Sequence, residues 1–254
     1  MKGIILSGGH GTRLYPVTKV TSKQLLPVWD KPMIFYPLNT LIQAGITDIL
    51  VIVAPEHAGD YLKYLGSGKE FGVKFTYEIQ DKPEGLAQAF LIGEDFIDGD
   101  AVTMILGDNI FEDTDKLAGV IRNFKSGGQV FAKEVPDPER FGVIKFNDKM
   151  QVEKIVEKPK EYLSNFAQVG LYIYDNRVSQ IAKELQPSAR GELEIVDIAN
   201  WYLAKGELQV SVVEGEWIDA GTFESLYRAN QLMYKKSQQP QAKSSETENA
   251  AARA

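Results

Sequence analysis

Near the N-terminus, three glycines and two cations are spaced in a way that can bind phosphate. The segment reads Ser-Gly-Gly-His-Gly-Thr-Arg, follows an apolar run directly and ends at Arg13. Gly8, Gly9 and Gly11 allow the backbone to come close to a phosphate and to point N–H groups at it. Arg13 and Lys23 add fixed positive charge, and the spacing matches neither the dinucleotide pattern nor a Walker loop. The segment predicts a phosphate-binding loop, with a flexible strand-to-helix turn as the alternative.

A carboxylate follows a predicted buried strand further along the chain. Asp108 stands just beyond the apolar run 101–106, at the carboxyl end of that strand. Ligands of open α/β sheets bind at this end of the strands, and a carboxylate there can hold Mg²⁺ that bridges phosphate oxygens. The alternative is an aspartate that caps a turn. Phosphoryl transfer requires mainly positioning and charge neutralisation, which cations and a metal ion supply.

The composition disfavours several other kinds of chemistry and partner. Cysteine is absent and the only histidines are His10 and His57, so a cysteine nucleophile, a histidine-based triad or a zinc site is hard to assemble. The 254 residues include 28 Lys plus Arg against 35 Asp plus Glu, a formal charge of −7, which is a poor match to nucleic acid or an anionic membrane. The longest apolar runs have the length of strands. We interpret the chain as cytoplasmic, with no nucleic-acid or membrane partner.

The elements that would position these residues form an α/β pattern. Short β-branched runs alternate with helical patterns through the first half of the chain, which is typical of a mostly parallel, Rossmann-like sheet flanked by helices. The run 49–53 is continuously apolar, as expected of a strand buried on both faces. Strands are predicted at residues 3–6, 48–54, 74–79, 101–106 and 129–134, and helices at 33–44, 57–65, 86–96 and 116–124.

Beyond residue 135 the pattern changes to an antiparallel lobe. We expect one domain over residues 1–236, with a core over about 1–135, a lobe over about 136–220 and a closing helix at 222–236. Residues 237–254 carry no large apolar side chain and are predicted to form a disordered polar tail. Further strands are predicted at 142–146, 152–157, 168–174 and 208–213, and further helices at 176–184 and 194–205.

Further motifs make the pattern around Arg13 more specific. Lys-x-Leu-Leu-Pro-Val starts at Lys23 and Lys-Pro-Met at Lys31. They are followed by Gly-Leu-Ala-Gln-Ala at 85–89, Leu-Gly-Asp-Asn at 106–109, Asp-Pro-Glu-Arg-Phe-Gly at 137–142, Val-Glu-Lys-Pro at 156–159, Pro-Ser-Ala-Arg-Gly-Glu-Leu-Glu at 187–194 and Trp-Ile-Asp-Ala-Gly-Thr at 217–222. In this order the motifs resemble those of the sugar nucleotidyltransferases, the family that makes nucleoside-diphosphate sugars. The resemblance runs from about residue 1 to residue 231.

The resemblance implies a nucleotide-diphospho-sugar transferase fold and a nucleotidyl transfer. A phosphate oxygen of a sugar 1-phosphate attacks the α-phosphorus of a nucleoside triphosphate, and pyrophosphate leaves. Since the sugar phosphate is already anionic at neutral pH, no strong general base is required. The implied substrates are dTTP and α-D-glucose 1-phosphate, the implied cofactor is Mg²⁺, and the product dTDP-glucose leads toward dTDP-rhamnose or related deoxysugars. Family members commonly form homotetramers, so a homo-oligomer is expected.

The resemblance also implies roles for individual residues. Arg13, Lys23 and Asp108 are the implied catalytic residues, although either cation could instead be a solvated surface group. Asp108 and Asp219 are the implied metal ligands, with a place in a helix N-terminal region as the alternative for Asp219. The implied nucleotide-binding residues are Leu6, Ser7, Gly8, Gly9, Gly11, Thr12, Arg13, Lys23, Gln24, Gln80, Pro83, Gly85 and Asp108. The implied sugar phosphate-binding residues are Asn109, Gly142, Glu157, Lys158, Val169 and Arg190.

Three of these assignments have a structural alternative. Arg190 could pair with Glu192 or Glu194 beside a helix. Gln80 could be a simple loop amide, and Glu157 could merely pair with the lysine that follows it. The residue types alone leave these alternatives open.

Two features depart from the family pattern, and three rival functions remain. Ser7 stands where the family usually has alanine, and the polar stretch after Ser237 stands where longer members carry helices that take part in a regulatory nucleotide site. One rival is a uridylyl-, cytidylyl- or adenylyltransferase. Another is a glycosyltransferase that uses Asp113-Thr114-Asp115 as a metal motif. The third is a non-catalytic nucleotide-binding regulatory subunit. The presence of Arg13, Lys23, Asp108 and Asp219 together argues against it, since a regulatory subunit would not need all four charges.

Overall fold

The structure is a computed structural model that describes residues 1–9 and 11–239. Of the predicted polar tail, only residues 237–239 fall inside these ranges, and Ser237 is the last residue of a helix. The rest of that prediction, together with His10, lies outside the described residues. No helix within the described ranges is both long and apolar enough to cross a membrane.

A central sheet organises the molecule. The strands of the described residues are β1 (Lys2–Ser7), β2 (Pro27–Val28), β3 (Lys31–Pro32), β4 (Asp48–Val53), β5 (Lys74–Ile79), β6 (Val102–Leu106), β7 (Asn109–Phe111), β8 (Gly128–Glu134), β9 (Gly142–Phe146), β10 (Val152–Glu157), β11 (Phe166–Tyr174), β12 (Leu208–Val212) and β13 (Trp217–Asp219). The main sheet has the order β10-β9-β11-β6-β1-β4-β5, and β8 pairs with both β11 and β12. Two small antiparallel ribbons, β2 with β3 and β7 with β13, lie outside it.

Four adjacent strands form one parallel part of this sheet, and β12 pairs in parallel with β8 elsewhere in it. β1 pairs with β4 on one side and with β6 on the other, and β4 pairs with β5, all in parallel. Their carboxyl ends therefore lie at one edge, where Ser7 is in register with Val53 and Leu6 with Leu106. β4 is the continuously apolar run, and its side chains enter the cores on both faces of the sheet, as predicted.

Strand β11 joins the parallel part to the antiparallel lobe. Residues 171–174 of β11 pair with β6, and Ala167 pairs with Val143 of β9. β9 and β10 form an antiparallel pair, as the sequence predicted for the lobe. Because β6 and β9 contact different parts of β11, residues 168–170 have no neighbouring strand on that side within the described residues. The sheet therefore opens at this point.

Helices cover both faces of the sheet. They are α1 (Phe35–Gln43), α2 (Ala58–Leu65), α3 (Ala89–Ile92), α4 (Glu94–Ile97), α5 (Asp115–Asn123), α6 (Val178–Glu184), α7 (Ile195–Ala204) and α8 (Phe223–Ser237). α1, α2 and α5 pack with Ile5 on one face, while α3, α6 and α7 pack with Ile4 on the other. Alternate residues of β1 point to opposite faces, so one strand supplies both cores. The α/β prediction is confirmed.

The last helix closes a third, smaller core. Thr222 and Ser225 form a capping box at the start of α8. Ala229 and Met233 of α8 pack against Ile218 of β13, next to residues of β2 and β7. α8 thus covers the two small ribbons, one of which carries Asp219.

Two predicted helices differ from those in the structure. The helix predicted at 86–96 is divided by Gly93, where a Cβ would lie 2.9 Å from Leu50 Cδ2 and 3.2 Å from Ile4 Cδ1, so the chain packs too closely on β4 and β1 for a side chain. The helix predicted from residue 33 begins at Phe35. The N–H of residue 34 instead donates to the carbonyl of Gln24 over 2.8 Å, which ties the segment to the turn that carries Lys23.

Candidate active site

The loop after β1 is held against the segment that carries Lys23. Gly11 has a left-handed backbone with a φ of 61°, and the Thr18 hydroxyl donates to its carbonyl over 2.8 Å. A Cβ on Gly11 would lie 3.3 Å from Lys23 Cβ and 3.1 Å from Thr18 Cγ2. At Gly9, in contrast, no heavy atom of the described residues lies within 4 Å of the Cβ position. The loop is therefore fixed at one end and open to a ligand at Gly9.

Gln80 lies directly against this loop. It follows β5, is 3% exposed, and donates from Nε2 to Gln88 Oε1 over 2.7 Å. A Cβ on Gly8 would lie 1.9 Å from Gln80 Oε1, so only glycine at that position allows the amide to approach. Gln80 is thus a buried and paired side chain, not a free loop amide, and it lies beside the predicted phosphate loop.

Gly85 joins this side of the site to the segment before α7. Its φ is 111°, and a Cβ there would lie 2.4 Å from the Leu193 carbonyl oxygen. The Leu193 N–H donates to the Glu84 carbonyl over 2.7 Å, and the Ala87 N–H donates to the Leu193 carbonyl over 3.2 Å. Close backbone packing therefore requires glycine here. Pro83 lies exposed in the same loop.

Lys23 and Asp108 form a buried ion pair at the carboxyl edge of the sheet. Lys23 Nζ lies 2.5 Å from Asp108 Oδ2, and the two side chains are 12% and 10% exposed. Burial alone would raise the pKa of Asp108, but the charge and hydrogen bond of Lys23 outweigh it and hold that pKa below its ordinary value. Asn109 Nδ2 also donates to Asp108 Oδ1 over 3.1 Å. The carboxylate is therefore ionised, and it orients the lysine.

The β7–β13 ribbon brings a second aspartate to the same place. Asp219, at the end of β13, is in register with Asn109, the residue that follows Asp108. The Ala220 N–H donates to the Asp108 carbonyl over 2.9 Å. The ribbon thus places next to each other two aspartates that the sequence shows only at the ends of separate elements.

Neighbouring charged groups affect the pKa of Asp219 in opposite directions. Burial raises the pKa of Asp219 to about 6, the negative charge of Asp108 adds to the rise, and Lys23 and Arg13 oppose it. Arg13, which is exposed, and this carboxylate both lie against Gly221, since a Cβ at Gly221 would lie 2.7 Å from Arg13 Nη2 and 2.7 Å from Asp219 Oδ1. Two cations and two carboxylates therefore meet at one edge of the sheet.

A buried hydrogen-bonded group lies next to the turn that carries Lys23. The Tyr61 hydroxyl is 2.7 Å from Ser22 Oγ, and Ser22 Oγ donates to Gln24 Oε1 over 2.7 Å. Ser7 Oγ is buried near this group, but it has no hydrogen-bond partner among the described residues. Gln24 is 3% exposed, and its carbonyl oxygen is engaged within this group. α2, which carries Tyr61, thereby fixes the turn that holds Lys23.

Asn109 links the edge of the parallel sheet to the lobe. Its Oδ1 accepts from Trp217 Nε1 over 2.7 Å and from the Gly170 N–H over 3.0 Å. A Cβ on Gly170 would lie 2.6 Å from that oxygen, so glycine is needed on β11 at this point. The buried amide therefore holds β11 and β13 together beside Asp108.

A cavity of about 470 Å³ opens where the sheet parts along β11. Arg13 and Asp219 line the cavity from the carboxyl edge of the parallel strands, and Glu157 and Lys158 line it from the lobe. Its volume lies in the range of small-molecule sites, and its lining mixes aromatic with charged side chains. Of the predicted nucleotide-binding residues only Arg13 lines this cavity, whereas four of the predicted sugar phosphate-binding residues do: Asn109, Gly142, Glu157 and Lys158.

Glu157 and Lys158 form the wall on the lobe. Lys158 Nζ lies 3.6 Å from Glu157 Oε1, so the simple pairing is present, and both residues also line the cavity. Burial raises the pKa of Glu157, while Lys158 and Arg190 oppose the rise. Lys158 has a φ of 41°, a left-handed conformation that a non-glycine residue rarely adopts, and its N–H donates to the Phe141 carbonyl over 2.9 Å. Such backbone strain is concentrated at functional sites.

Arg190 is engaged by carboxylates of its own segment. Its Nη2 lies 2.5 Å from Glu192 Oε2, and its Nε and Nη2 each donate to Glu194 over 3.1 Å. Its Nη1 lies 3.8 Å from Glu157 Oε1. The ion pairs that the sequence offered as an alternative are therefore present. Arg190 touches the cavity wall through Glu157, and its contact with a sugar phosphate stays a prediction.

Val169 shows how β11 divides its residues between core and cavity. Its side chain is fully buried in the core beneath α1 and α5. Gln168 and Gly170 line the cavity instead, because successive strand residues point to opposite faces. A contact between Val169 and a sugar would therefore have to come from its backbone.

Comparison with known proteins identifies the family. Residues 2–236 match the sequence profile described as Nucleotidyl transferase. A glucose-1-phosphate thymidylyltransferase from Neisseria meningitidis is 52% identical over 236 residues, which are 90% of this chain and 81% of that protein. Another from Mycolicibacterium smegmatis is 50% identical over 237 residues, which are 92% of this chain and 82% of that protein.

The chain belongs to the nucleotidyl transferase family. Among solved structures, a candidate glucose-1-phosphate thymidylyltransferase from Bacillus anthracis is 50% identical, with a TM-score of 0.88 over 98% of this chain and 99% of that one. A UDP-glucose pyrophosphorylase complexed with UDP-glucose is 25% identical, with a TM-score of 0.81 over 92% of this chain and 98% of that one. Both the sequence and the fold of this nucleotidyltransferase therefore match enzymes that join a nucleotide to a sugar phosphate.

Nucleotidyltransferases of this kind generally use a divalent metal ion, and the two aspartates fit one. Within residues 1–9 and 11–239, no three His, Asp or Glu side chains cluster as a metal site. Asp108 and Asp219 are buried beside each other, and the mutual repulsion seen in the raised pKa of Asp219 is what a divalent cation would relieve. Few carboxylates, completed by water and substrate oxygens, suit Mg²⁺.

Sequence reasoning missed several cavity residues of this nucleotidyltransferase. Arg140 and Trp217 lie in motifs that carried the resemblance, but no role followed from their residue types. Their position before β9 and within β13, next to implied site residues, was the available signal. The lining residues without a sequence-based role include Leu86, Leu106, Arg140, Phe141, Tyr172 and Trp217.

The rival metal motif has a local role in the structure. Asp113 Oδ1 accepts from the Asp115 N–H over 3.2 Å at the start of α5. Neither aspartate lines the cavity that opens beside β11. The glycosyltransferase alternative therefore has no support from this segment.

Proposed function

We propose that this nucleotidyltransferase transfers a thymidylyl group from dTTP to α-D-glucose 1-phosphate, giving dTDP-glucose and pyrophosphate. The observation that carries the proposal is the convergence of two cations with the buried Asp108 and the half-buried Asp219, next to the cavity that Glu157 and Lys158 line from the lobe. Relatives about half identical in sequence are named for this base and this sugar, which supports the choice of substrates.

The proposed chemistry needs positioning more than a base. A phosphate oxygen of the sugar phosphate attacks the α-phosphorus, and the bond from that phosphorus to the bridging oxygen of pyrophosphate breaks. The attacking oxygen is already anionic at neutral pH. Arg13, beside Asp219, lies against the triphosphate and stabilises the leaving pyrophosphate, while Lys23 contacts the phosphates near the reacting atoms. Asp108 holds Lys23 in place for this contact.

Asp108 and Asp219 would hold Mg²⁺ in the proposed reaction. The ion, when bound, supplies positive charge that offsets the repulsion between the two polyanionic substrates. Its removal by chelation is expected to abolish turnover.

Recognition of the base is assigned to the surface between the loop after β1 and the loop after β5. Gln80 carries both a donor and an acceptor, which can pair with a pyrimidine edge, and it already contacts the loop at Gly8. Gly85 brings the backbone close to the same place. The remaining proposed nucleotide contacts are Leu6, Ser7, Gly9, Gly11, Thr12, Gln24 and Pro83.

Recognition of the sugar phosphate is assigned to the lobe. Glu157 accepts sugar hydroxyls, Gly142 and Val169 supply backbone contacts, and Lys158 and Arg190 bind the phosphate. Asn109 positions β11 between the two halves of the site. We also propose that residues 1–236 act as one catalytic domain, in a cytoplasmic homotetramer; light scattering on the purified protein tests the assembly.

The experiment is a pyrophosphate-release assay with Mg²⁺, run across dTTP and the other nucleoside triphosphates and across several hexose 1-phosphates. The highest kcat/KM is expected for dTTP with glucose 1-phosphate. Arg13→Ala and Asp108→Asn are each expected to lower it by about a hundredfold or more, because each removes charge stabilisation of the transition state. The control is Arg228→Ala, since Arg228 is 62% exposed and pairs only loosely with Glu216 at 3.8 Å. A preference for UTP would replace the thymidylyl assignment, and silence with every pair would favour a regulatory subunit.

A further inference from the structure

A polar side chain of β11 is buried in the cavity wall without a partner. Gln168 is 5% exposed and lines the cavity. Neither its Nε2 nor its Oε1 has a hydrogen-bond partner among the described residues. Buried amide groups are nearly always hydrogen-bonded, and leaving one unpaired is costly compared with an apolar side chain of the same shape. The amide therefore requires an explanation outside the folded chain itself.

The position of Gln168 on β11 shows that its side chain faces the cavity. Gln168, Gly170 and Tyr172 alternate along the strand, and all three line the cavity, whereas Ala167 and Val169 enter the core. These apolar neighbours point to the opposite face of the strand, so the amide of Gln168 does not share their core. An amide at residue 168 therefore serves the cavity face.

Gly142 leaves space between this amide and the carboxylate of Glu157. A Cβ on Gly142 would lie 3.1 Å from Gln168 Oε1 and 3.3 Å from Glu157 Oε2. The two polar groups thus face one common point on the cavity wall. Glu157, when ionised, can only accept hydrogen bonds, while the Gln168 amide can both donate and accept. Together they match a sugar hydroxyl, which does both.

We propose that Gln168 binds a ring hydroxyl of the hexose 1-phosphate, beside Glu157, and so determines which sugar the enzyme accepts. This inference rests on the proposed function, in that the cavity must hold a sugar phosphate. A site that hydrogen-bonds a substrate hydroxyl rejects the analogue without it, because the buried polar groups are then left unpaired. The Gln168 amide, which is unpaired in the free enzyme, gains hydrogen bonds only from a sugar that carries this hydroxyl, and the enzyme therefore prefers that sugar.

The test compares wild type with Gln168→Met, which keeps the length of the side chain and removes its hydrogen-bonding groups. For glucose 1-phosphate, kcat/KM is expected to fall about tenfold, with the KM for the nucleotide unchanged. The deoxyglucose 1-phosphates are then tried one by one. Wild type is expected to discriminate against one of them, and Gln168→Met is expected to lose that discrimination.

Two controls separate recognition from folding. Gln168→Leu serves if the methionine variant is poorly folded, and both variants are expected to unfold at or above the wild-type temperature, because an unpaired amide leaves the interior. Ser179, on α6, does not line the cavity, and its buried hydroxyl also lacks a hydrogen-bond partner among the described residues. Ser179→Ala removes that hydroxyl. Its kinetics and its sugar selectivity are expected to match wild type.

The outcomes distinguish this inference from the proposed function. An active wild type whose methionine variant keeps the same kcat/KM and the same deoxy-sugar selectivity overturns the role of Gln168 alone. A wild type that turns over no hexose 1-phosphate overturns the proposed function and this inference with it. Selectivity lost for one deoxy position, with nucleotide KM and unfolding temperature retained, supports the assignment and identifies the hydroxyl.

Discussion

Lys23 and Asp108 are both largely buried, and the charge of each is compensated by the other. Their side chains are only 12% and 10% exposed, and Lys23 holds the pKa of Asp108 below its ordinary value against the opposing effect of burial. Removing one partner of such a pair leaves an uncompensated charge, which costs far more than the pair contributes. At the scale of single residues, the proposed catalytic pair is therefore also a place where a single substitution is expected to destabilise the fold.

Lys23→Met is expected to lower the free energy of unfolding by about 3–5 kcal/mol at pH 7, because Asp108 is then buried and unpaired. Adding Asp108→Asn to it is expected to restore most of the loss without restoring turnover. Urea unfolding of the two variants, followed by the pyrophosphate assay, measures both effects. Equal stability of the single and double variants would contradict a buried pair.

Asp219→Asn is expected to stabilise the metal-free protein at pH 8 while abolishing turnover. Burial beside Asp108 raises the pKa of Asp219 to about 6, so protonation of this group favours the folded state. That contribution is complete below the ordinary value of 3.8 and is lost as the pH rises through about 6. Removing the charge should therefore add on the order of 1–3 kcal/mol at pH 8.

The measurement for Asp219 is thermal unfolding in EDTA from pH 5 to pH 8. The gap between Asp219→Asn and wild type is expected to widen toward pH 8. A gap that does not change with pH would show that the two aspartates do not share a buried environment.

At the scale of elements, glycines set how closely the segments around the site can pack. Gly93 divides the predicted helix so that it can lie on β1 and β4, and Gly85 lets the loop after β5 meet the segment before α7. Without a Cβ, backbones approach to distances that no other residue allows. Such a contact joins the loop after β5 to the segment before α7, whose first residue, Ile195, lines the cavity.

Gly85→Ala is expected to destabilise the protein by about 2–4 kcal/mol, since the new Cβ combines a strained φ with a clash against backbone. The matched control is Gly45→Ala, at a φ of 82° after α1, where no described heavy atom lies within 4 Å of the Cβ position. The control carries the strain without the clash and is expected to cost about 1 kcal/mol. Chemical denaturation of both variants gives the difference, and equal losses would exclude the clash.

At the scale of the whole molecule, a polar network ties the end of β11 to the segments just before β8 and β12. Asp175 accepts from the Gly127 N–H over 2.8 Å, from the Tyr202 hydroxyl over 2.8 Å and from Arg177 Nη2 over 2.6 Å. Arg177 also pairs with Glu207, just before β12. Because β11 carries one wall of the cavity, this network holds the strand in register from its other end.

Asp175→Asn is expected to lower stability by about 2–4 kcal/mol at pH 7, because a buried ionised acceptor is replaced by a neutral one. Burial would raise the pKa of Asp175, but its bonds from Arg177, Tyr202 and the backbone hold it below the ordinary value. The contribution is therefore present above the unfolded-state pKa and is lost as the pH falls through the lowered folded-state pKa.

Unfolding curves of Asp175→Asn and wild type between pH 3 and pH 7 check this expectation, and the two are expected to converge toward acid. The control is Glu94→Gln, whose partner Lys183 is as exposed as Glu94 itself, at 46% and 44%. That variant is expected to change stability by about 0–1 kcal/mol at any pH. A constant difference for Asp175→Asn would mean that its ionisation is not linked to folding.

Local patterns could predict most of the elements but not their interruptions. The apolar run of β4 and the closing helix depend on neighbours in sequence, and the structure has both, the helix as α8. The break at Gly93 depends on Leu50 and Ile4, which are distant in sequence. Such contacts leave no local periodicity, so a single sequence carries no signal for them.

The sequence alone determined the α/β order, the acidic composition without cysteine and the motifs that resemble the nucleotidyl transferase family. The tertiary structure alone decided that Asp219 stands beside Asp108, that Arg190 is held by its own glutamates and that Gln168 lies unpaired in the cavity wall. Motifs report residue types along the chain, whereas charge pairing and burial depend on distances between segments that meet only in the folded sheet. The charge pairing and the pKa shifts at the site are therefore set by the tertiary structure.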